Sequence, residues 1–245
     1  MFKKVLFTND DGIDSPSLRA FFDKFKKKFS DSEVFIVAPK NQKSGVSYSI
    51  SLFEPIEFKQ IDSNIYCLDS TPVDCVKVAF HYIFKGEFPD LVISGINLGH
   101  NAATSLFYSG TVGAIFESYI HNVNGIAFSY HTKNYNKFSN LERIIDIALE
   151  FINDIYIEYP GTYSVNIPDI DEFGYKGFKI MKQSFSRFIE VYEKIHLKTG
   201  RDYLYIKDDN YLHEEDSEVK LLEDGYAIFT PLKFDITDYN HPLFK

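Results

Sequence analysis

Residues 3–29 read KKVLFTNDDGIDSPSLRAFFDKFKKKF, a stretch that holds one strand, one turn and one helix. Val5, Leu6 and Phe7 form the unbroken apolar run of a strand buried on both faces. Ser15-Pro16 then supplies a helix start, with Ser as N-cap and Pro at the first helical position. Leu18, Phe21, Phe22, Phe25 and Phe29 recur at helical spacing, with Lys24, Lys26, Lys27 and Lys28 largely between them on a solvated face. Between strand and helix lie Asn9, Asp10, Asp11 and Gly12. These are ordinary turn residues. Yet two adjacent carboxylates repel unless water or a cation offsets them. In isolation the stretch favours a plain turn, and the rest of the chain decides.

The same alternation continues outward. Val34 to Ala38 is a second short apolar run ending at Pro39, followed by a polar stretch, 40–60, that reads as irregular or hairpin-like. Ile61 to Leu68 reads as a strand. Thr71-Pro72-Val73-Asp74 starts another helix, with Thr as cap, carrying Val76, Val78, Ala79, Phe80 and Ile83. Leu91-Val92-Ile93 is a third buried run. Gly110 to His121 reads as a helix, Ile126 to Ser129 as a strand, and Leu141 to Ile155 as a long amphipathic helix. Such β-α alternation implies a mostly parallel sheet covered on both faces. Beyond about residue 160 the pattern changes. Residues 175–235 alternate Tyr, Phe, Ile and Val with charged neighbours, as in Arg201-Asp202-Tyr203-Leu204-Tyr205-Ile206, and predict antiparallel ribbons extending from the main body.

Composition narrows the function classes. The 245 residues are 44% hydrophobic, enough for a large α/β core. A formal charge of −9 argues against a general affinity for polymeric nucleic acid, so a phosphorylated ligand must have its charge met locally. Cys67 and Cys75 are too few for a disulfide framework and fit a reducing cytoplasm. The apolar run near the N-terminus is too short for a signal peptide, and no stretch reaches the roughly 20 apolar residues of a membrane helix. The abundant aromatics, 24 Phe and 17 Tyr, come without a basic stripe and read as core and interface filler.

In a doubly wound sheet, ligands bind beyond the carboxyl ends of the strands. The first strand here ends in Asn9, Asp10 and Asp11, and the second is followed by Lys40-Asn41-Gln42-Lys43-Ser44-Gly45. The third, DLVISGIN, ends in Ser94-Gly95-Ile96-Asn97, followed by Gly99 and Asn101. Carboxylate, hydroxyl and amide oxygens thus converge on one edge. An all-oxygen set suits a hard divalent cation such as Mg²⁺, Mn²⁺ or Ca²⁺. Asp10 and Asp11 would supply its charge, and Ser44 and Asn97 its neutral donors. Taken singly, Ser44 reads as a loop serine and Asn97 as a residue held at positive φ. Together with the acid pair they point to a metal site.

The stretch YSGTVGA, Tyr108 to Ala114, is Gly-rich and opens a helix, with Ser109 or Thr111 as cap. Its amides favour an anion, and a phosphate could be cradled by Ser109, Gly110 and Thr111. Plain capping explains the stretch equally well. It is neither a Walker A loop nor a dinucleotide fingerprint. His100, between Gly99 and Asn101, lies where it can approach a substrate; His81, His121 and His131 read as helix or loop residues.

TNDDG, APKNQKSG, STPVDCV, PDLVISGINLGHN, YSGTVGA and EDGYAIFTPLKFDIT occur in one order, and from residue 3 to about 238 the chain resembles the SurE (survival protein E) family of metal-dependent nucleoside-monophosphate phosphatases. The resemblance implies a Rossmann-like three-layer αβα sandwich with a C-terminal β-hairpin extension. It implies one domain over 1–245, with the core in 1–170 and an oligomerisation extension in 171–245. Asp10, Asp11, Ser44 and Asn97 match the family's metal ligands, and Asn101 with Ser109, Gly110 and Thr111 its phosphate site. The implied cofactor is one Mg²⁺ or Mn²⁺ per subunit. The implied activity is hydrolysis of 5′- and 3′-nucleotides, with short polyphosphate as a further substrate, in a cytoplasmic dimer or tetramer built by C-terminal exchange. Asp10 and Asp11 are the catalytic candidates, Asp11 as the preferred base. One departure stands out: between Asn101 and Tyr108 the family carries Gly and then Asp, whereas this chain has Ala102-Ala103-Thr104-Ser105-Leu106-Phe107. That change favours one rival, a nucleotide-binding module without turnover. Another rival, a covalent aspartyl-phosphate enzyme, needs Asp where this chain has Asn9.

Overall fold

The computed structural model describes residues 2–132, 138, 140–197, 200–212 and 214–244, with residues 207–211 described by their backbone. The elements run β1 (Lys4–Thr8), α1 (Pro16–Lys28), β2 (Glu33–Pro39), β3 (Phe58–Asp62), β4 (Ile65–Leu68), α2 (Pro72–Val78), β5 (Leu91–Leu98) and α3 (Gly110–Ile120). There follow β6 (Asn124–Tyr130), α4 (Leu141–Phe151), β7 (Tyr163–Ile167), α5 (Ile170–Phe173), β8 (Phe178–Ile180), β9 (Arg187–His196), β10 (Asp202–Leu212), α6 (Glu218–Glu223) and β11 (Ala227–Pro231).

Among the described residues, nine strands form one sheet in the order β3-β4-β2-β1-β5-β6-β7-β11-β8. β1 pairs in parallel with β2 on one side and β5 on the other, so strand order reverses around β1. Parallel pairing continues through β2/β4, β5/β6 and β6/β7. β3 and β11 join antiparallel to β4 and β7, and β8 lies parallel to β11.

The apolar run of β1 divides between the two faces as a period of two requires. Val5 and Phe7 point into the core beneath α1 and α4, while Leu6 points into the one beneath α2 and α3. Phe7 meets Phe21 and Phe25 edge-on, each at 5.3 Å between ring centroids. The helical spacing of those phenylalanines is therefore core packing. The result is helices on both faces of a mostly parallel sheet, the expected three-layer sandwich.

Several local readings need correction. Ile61 to Leu68 is two strands rather than one, because β3 turns back at Ser63-Asn64 and pairs antiparallel with β4. The helix expected to reach Ile155 ends as α-helix at Phe151 and continues as a wider π turn, Ile152–Tyr156. Ser15 stands at the N-cap of α1, but its hydroxyl bonds Ser17 Oγ at 2.9 Å instead of a helix amide. In the C-terminal third only β9 and β10 form a separate antiparallel hairpin. β11 is drawn into the main sheet, and α6, capped by Ser217, was not anticipated. Among the described residues, no helix is long and apolar enough to cross a membrane.

Candidate active site

The turn after β1 is closed by Asn9, which is fully buried. Its Oδ1 accepts the Gly12 N–H at 3.2 Å and its Nδ2 donates to the Gly12 carbonyl at 3.0 Å. Gly12 sits at φ +100°, open to glycine and strained for other residues. Asp10 and Asp11 are thereby fixed beyond the end of β1. Asn9 has its oxygen and amide nitrogen engaged in the turn, which leaves no nucleophile at the position an aspartyl-phosphate enzyme requires.

Asp10 is buried and held from the start of α3. Thr111 donates its hydroxyl to Asp10 Oδ1 at 2.6 Å, and its backbone N–H also serves that carboxylate. Burial pushes the Asp10 pKa up, and the Thr111 bonds oppose the shift. Thr111 therefore supports Asp10 through its hydroxyl. Ser109 is the helix cap, its Oγ accepting the Val112 N–H at 3.1 Å. Gly110 leaves no room for a side chain, since a Cβ there would lie 3.0 Å from Val46 Cγ2 and 3.2 Å from Asp10 Cβ.

The segment after β2 is pinned on two sides. Lys43 donates its N–H to the Asp10 carbonyl at 2.7 Å, and Ser47 donates its N–H to the Tyr108 carbonyl at 3.0 Å. Tyr48 donates its hydroxyl to the carboxylate of Glu117, a buried residue of α3 that also receives Lys77 Nζ at 3.3 Å. Ser44 is thus carried to the rim of the same crevice, with Gln42 Nε2 donating to its Oγ at 2.9 Å.

β5 brings the last donor. Positive φ falls on Gly95 and Gly99 rather than on Asn97, which stays in the strand. Asn97 Nδ2 donates to the Gly99 carbonyl at 2.8 Å, leaving the amide oxygen as its donor atom for a cation. The neighbouring Leu98 N–H donates to the Asp11 carboxylate. Even so, burial and the adjacent Asp10 charge push Asp11 up to about 7. Asp11 Oδ2 is buried without a hydrogen-bond partner among the described residues.

Asp10, Ser44, Asn97, Asn101 and Ser109 line one cavity of about 320 Å³. It lies beyond the carboxyl ends of β1 and β5, at the point where strand order reverses. Asp11 lines the hollow beside it with Gln42 and Leu98, while Gly110 and Thr111 stay behind the wall. Asn101 is locked in place by Nδ2 donating to Ser129 Oγ at 2.8 Å and by its N–H donating to Asn166 Oδ1 at 2.8 Å. His100, which the sequence places where it can approach a substrate, lines the cavity, and so do Ser105, Tyr108 and Phe188, whose side chains the sequence reading did not assign to the site. Ser105 lies in the unusual 102–107 stretch, and its buried Oγ has no hydrogen-bond partner among the described residues. Phe188 comes from β9, some 80 residues away, and only tertiary structure could place it.

These residues fit a divalent cation on chemical grounds. The two adjacent carboxylates, Asp10 buried and Asp11 part-buried with one oxygen unsatisfied, repel each other when ionised, and a cation would relieve that repulsion. Hydroxyl and amide oxygens complete a hard donor set. Among the described residues, no three His, Cys, Asp or Glu side chains cluster as a metal site, so a cation held here would draw on the neutral oxygens as well.

Fold and site together define an α/β protein with an acidic, oxygen-lined crevice at a topological switch point. The family described as Survival protein SurE matches residues 5–190. The chain is 34% identical to the 5′-nucleotidase SurE of Campylobacter lari, covering 97% of this chain and 95% of that one. It is 33% identical to the 5′-nucleotidase SurE of Clostridium botulinum strain Eklund 17B, covering 96% and 95%. The crystal structure of the SurE protein from Aquifex aeolicus superposes with a TM-score of 0.83 at 31% identity, covering 98% of this chain and 97% of that one. The chain belongs to the SurE family.

Proposed function

We propose that this protein is a divalent-metal-dependent phosphatase that hydrolyses nucleoside 5′-monophosphates to nucleoside and phosphate. The observation that carries the reading is the sharing of one switch-point cavity by Asp10, Ser44 and Asn97 with Asn101 and Ser109. The relatives' name, 5′-nucleotidase SurE, supports the substrate class.

Asp10, Asp11, Ser44 and Asn97 would hold one Mg²⁺ or Mn²⁺ per subunit. Such an ion supplies Lewis-acid polarisation of a phosphoryl oxygen and acidification of water. Ser109 Oγ–H and the remaining Asn101 Nδ2–H donate to the other phosphoryl oxygens and orient phosphorus for in-line attack. Asp11 Oδ2 takes the proton of the attacking water, while Asp10 Oδ1 is committed to the Thr111 hydroxyl. The P–O ester bond breaks as the new P–O bond forms, the leaving alkoxide takes a proton from solvent water, and Asp11 returns to solvent the proton it accepted. Since the reacting group is the phosphoryl, 3′-nucleotides and short polyphosphate are proposed as further substrates.

We also place the hairpin β9–β10 in the assembly. Val191, Tyr192 and Leu204 expose 45%, 62% and 68% of their surface, which supports a dimer or tetramer formed by covering the hairpin with a second copy. The free, buried Cys67 and Cys75 suit a reducing cytoplasm.

Phosphate release from a nucleotide panel tests the activity. AMP hydrolysis should require added Mn²⁺ or Mg²⁺, stop with excess chelator and return when the ion is restored. Release unaffected by chelator would remove the metal from the reaction; binding of AMP without release would leave a nucleotide-binding module.

A further inference from the structure

A second hollow, of about 670 Å³, opens beside the candidate phosphate cavity. Tyr108 and Phe188 stand in the walls of both. Beyond them the second hollow is lined by Ile189 and Ile206, with Thr104 and the oppositely charged Arg187 and Glu190. It has no excess of positive charge to compete for a phosphate. What it offers is aromatic and aliphatic surface. Tyr108 is 66% exposed and adjoins Ser109, the residue assigned to the phosphoryl group.

The two walls come from distant parts of the chain and are joined by hydrogen bonds. Tyr108 ends the 3₁₀ turn Ala103–Tyr108, and Phe188 is the second residue of β9. Thr104 donates both its N–H, at 3.2 Å, and its hydroxyl, at 2.9 Å, to the Ser186 carbonyl. The buried Glu218 carboxylate accepts the Ala103 N–H at 3.2 Å and the Ser184 N–H at 3.1 Å. Gln183 Nε2 donates to the Ala103 carbonyl at 3.2 Å. The altered 102–107 stretch is thereby fastened to the segment that leads into β9. A surface held at a set separation from the phosphate cavity costs little ordering when a ligand spans both.

We propose that this second hollow is the nucleoside subsite, with Tyr108 and Phe188 as the stacking surfaces for the base. The assignment rests on the phosphatase reading and extends it to substrate choice. A nucleotide with its phosphoryl group between Ser109 and Asn101 leads its sugar past Tyr108 and its base into the aromatic hollow. Stacking accepts any base face, so the site discriminates nucleotides from phosphate esters that lack a base more strongly than it discriminates one base from another.

The test compares kcat/KM for AMP and for ribose 5-phosphate, which carries the same phosphoryl and sugar without a base. It uses the full chain with Mn²⁺. Wild-type protein should prefer AMP. Phe188→Leu and Tyr108→Leu, which keep apolar bulk in place, should each shrink the AMP-to-ribose-5-phosphate ratio by about tenfold, chiefly through KM for AMP. An unchanged ratio in both variants would overturn the subsite, even if both rates fell together. Wild-type hydrolysis of ribose 5-phosphate without preference for AMP would overturn it while sparing the phosphatase reading. Wild-type release of phosphate from neither compound would remove that reading, and the subsite with it.

Discussion

Asp10→Asn should lower phosphate release from AMP by about a thousandfold or more while leaving the fold intact. The change is isosteric, and the asparagine carbonyl can still accept the Thr111 hydroxyl that now donates to Asp10 Oδ1. What is lost is a negative charge and a second acceptor oxygen at the proposed cation site. Asp11→Asn should be as damaging to turnover, because it also removes the proposed acceptor of the water proton. Its effect on stability should run the other way. Asp11 is part-buried beside Asp10 with one carboxylate oxygen buried and unsatisfied, so neutralising it relieves both desolvation and repulsion. In metal-free protein, the Asp11→Asn unfolding midpoint should rise by a shift worth on the order of 1 kcal/mol. Near-normal turnover in either variant at limiting metal, or a metal-free Asp11→Asn protein less stable than wild type, would contradict this account of the acid pair.

The second large effect is structural and lies in β5. Gly95 sits at φ +118°, and a Cβ there would fall 2.3 Å from the Phe128 carbonyl oxygen of β6. No real contact is that short, so Gly95→Ala must displace one strand from the other. It breaks the pairing where the β5–β6 register already shifts, between Ser94 and Asn97. The expected destabilisation is about 3–5 kcal/mol by urea unfolding, with loss of activity as Asn97 moves. Gly45→Ala is the control. Gly45 also has a positive φ, +69°, but an added Cβ meets nothing within 4 Å, so its cost should stay near 1 kcal/mol. Equal losses at the two positions would mean that φ strain, rather than the β5–β6 contact, sets the cost.

Much of this arrangement is legible in order along the chain. Apolar runs at Val5, Val34 and Leu91, each followed by a polar break, are enough to predict the parallel sheet. Polar residues after each run are enough to place Asp10, Ser44 and Asn97 at one edge, because the carboxyl ends of parallel strands must coincide. Local pattern fails where partners are distant. Thr111 and Ser109 look alike as caps; only the approach of Asp10 decides that Thr111 turns inward to it while Ser109 caps the helix. Asn97 between two glycines suggests positive φ, yet the glycines absorb it so that Asn97 can stay in the strand. The sharp return at Ser63-Asn64 hides inside an apolar run whose halves pair with each other. Tyr108 and Phe188 face one hollow only because Glu218 and Ser186 tie their segments together, a contact that no periodicity announces.

Anomalous diffraction from crystals soaked in Mn²⁺ is the most direct check on the central claim. The expected result is a single strong peak per chain, in contact with carboxylate oxygens of Asp10 and Asp11 and within reach of Ser44 Oγ and Asn97 Oδ1, and absent from Asp10→Asn crystals. A peak elsewhere, or none at this crevice while AMP is still hydrolysed, would contradict it.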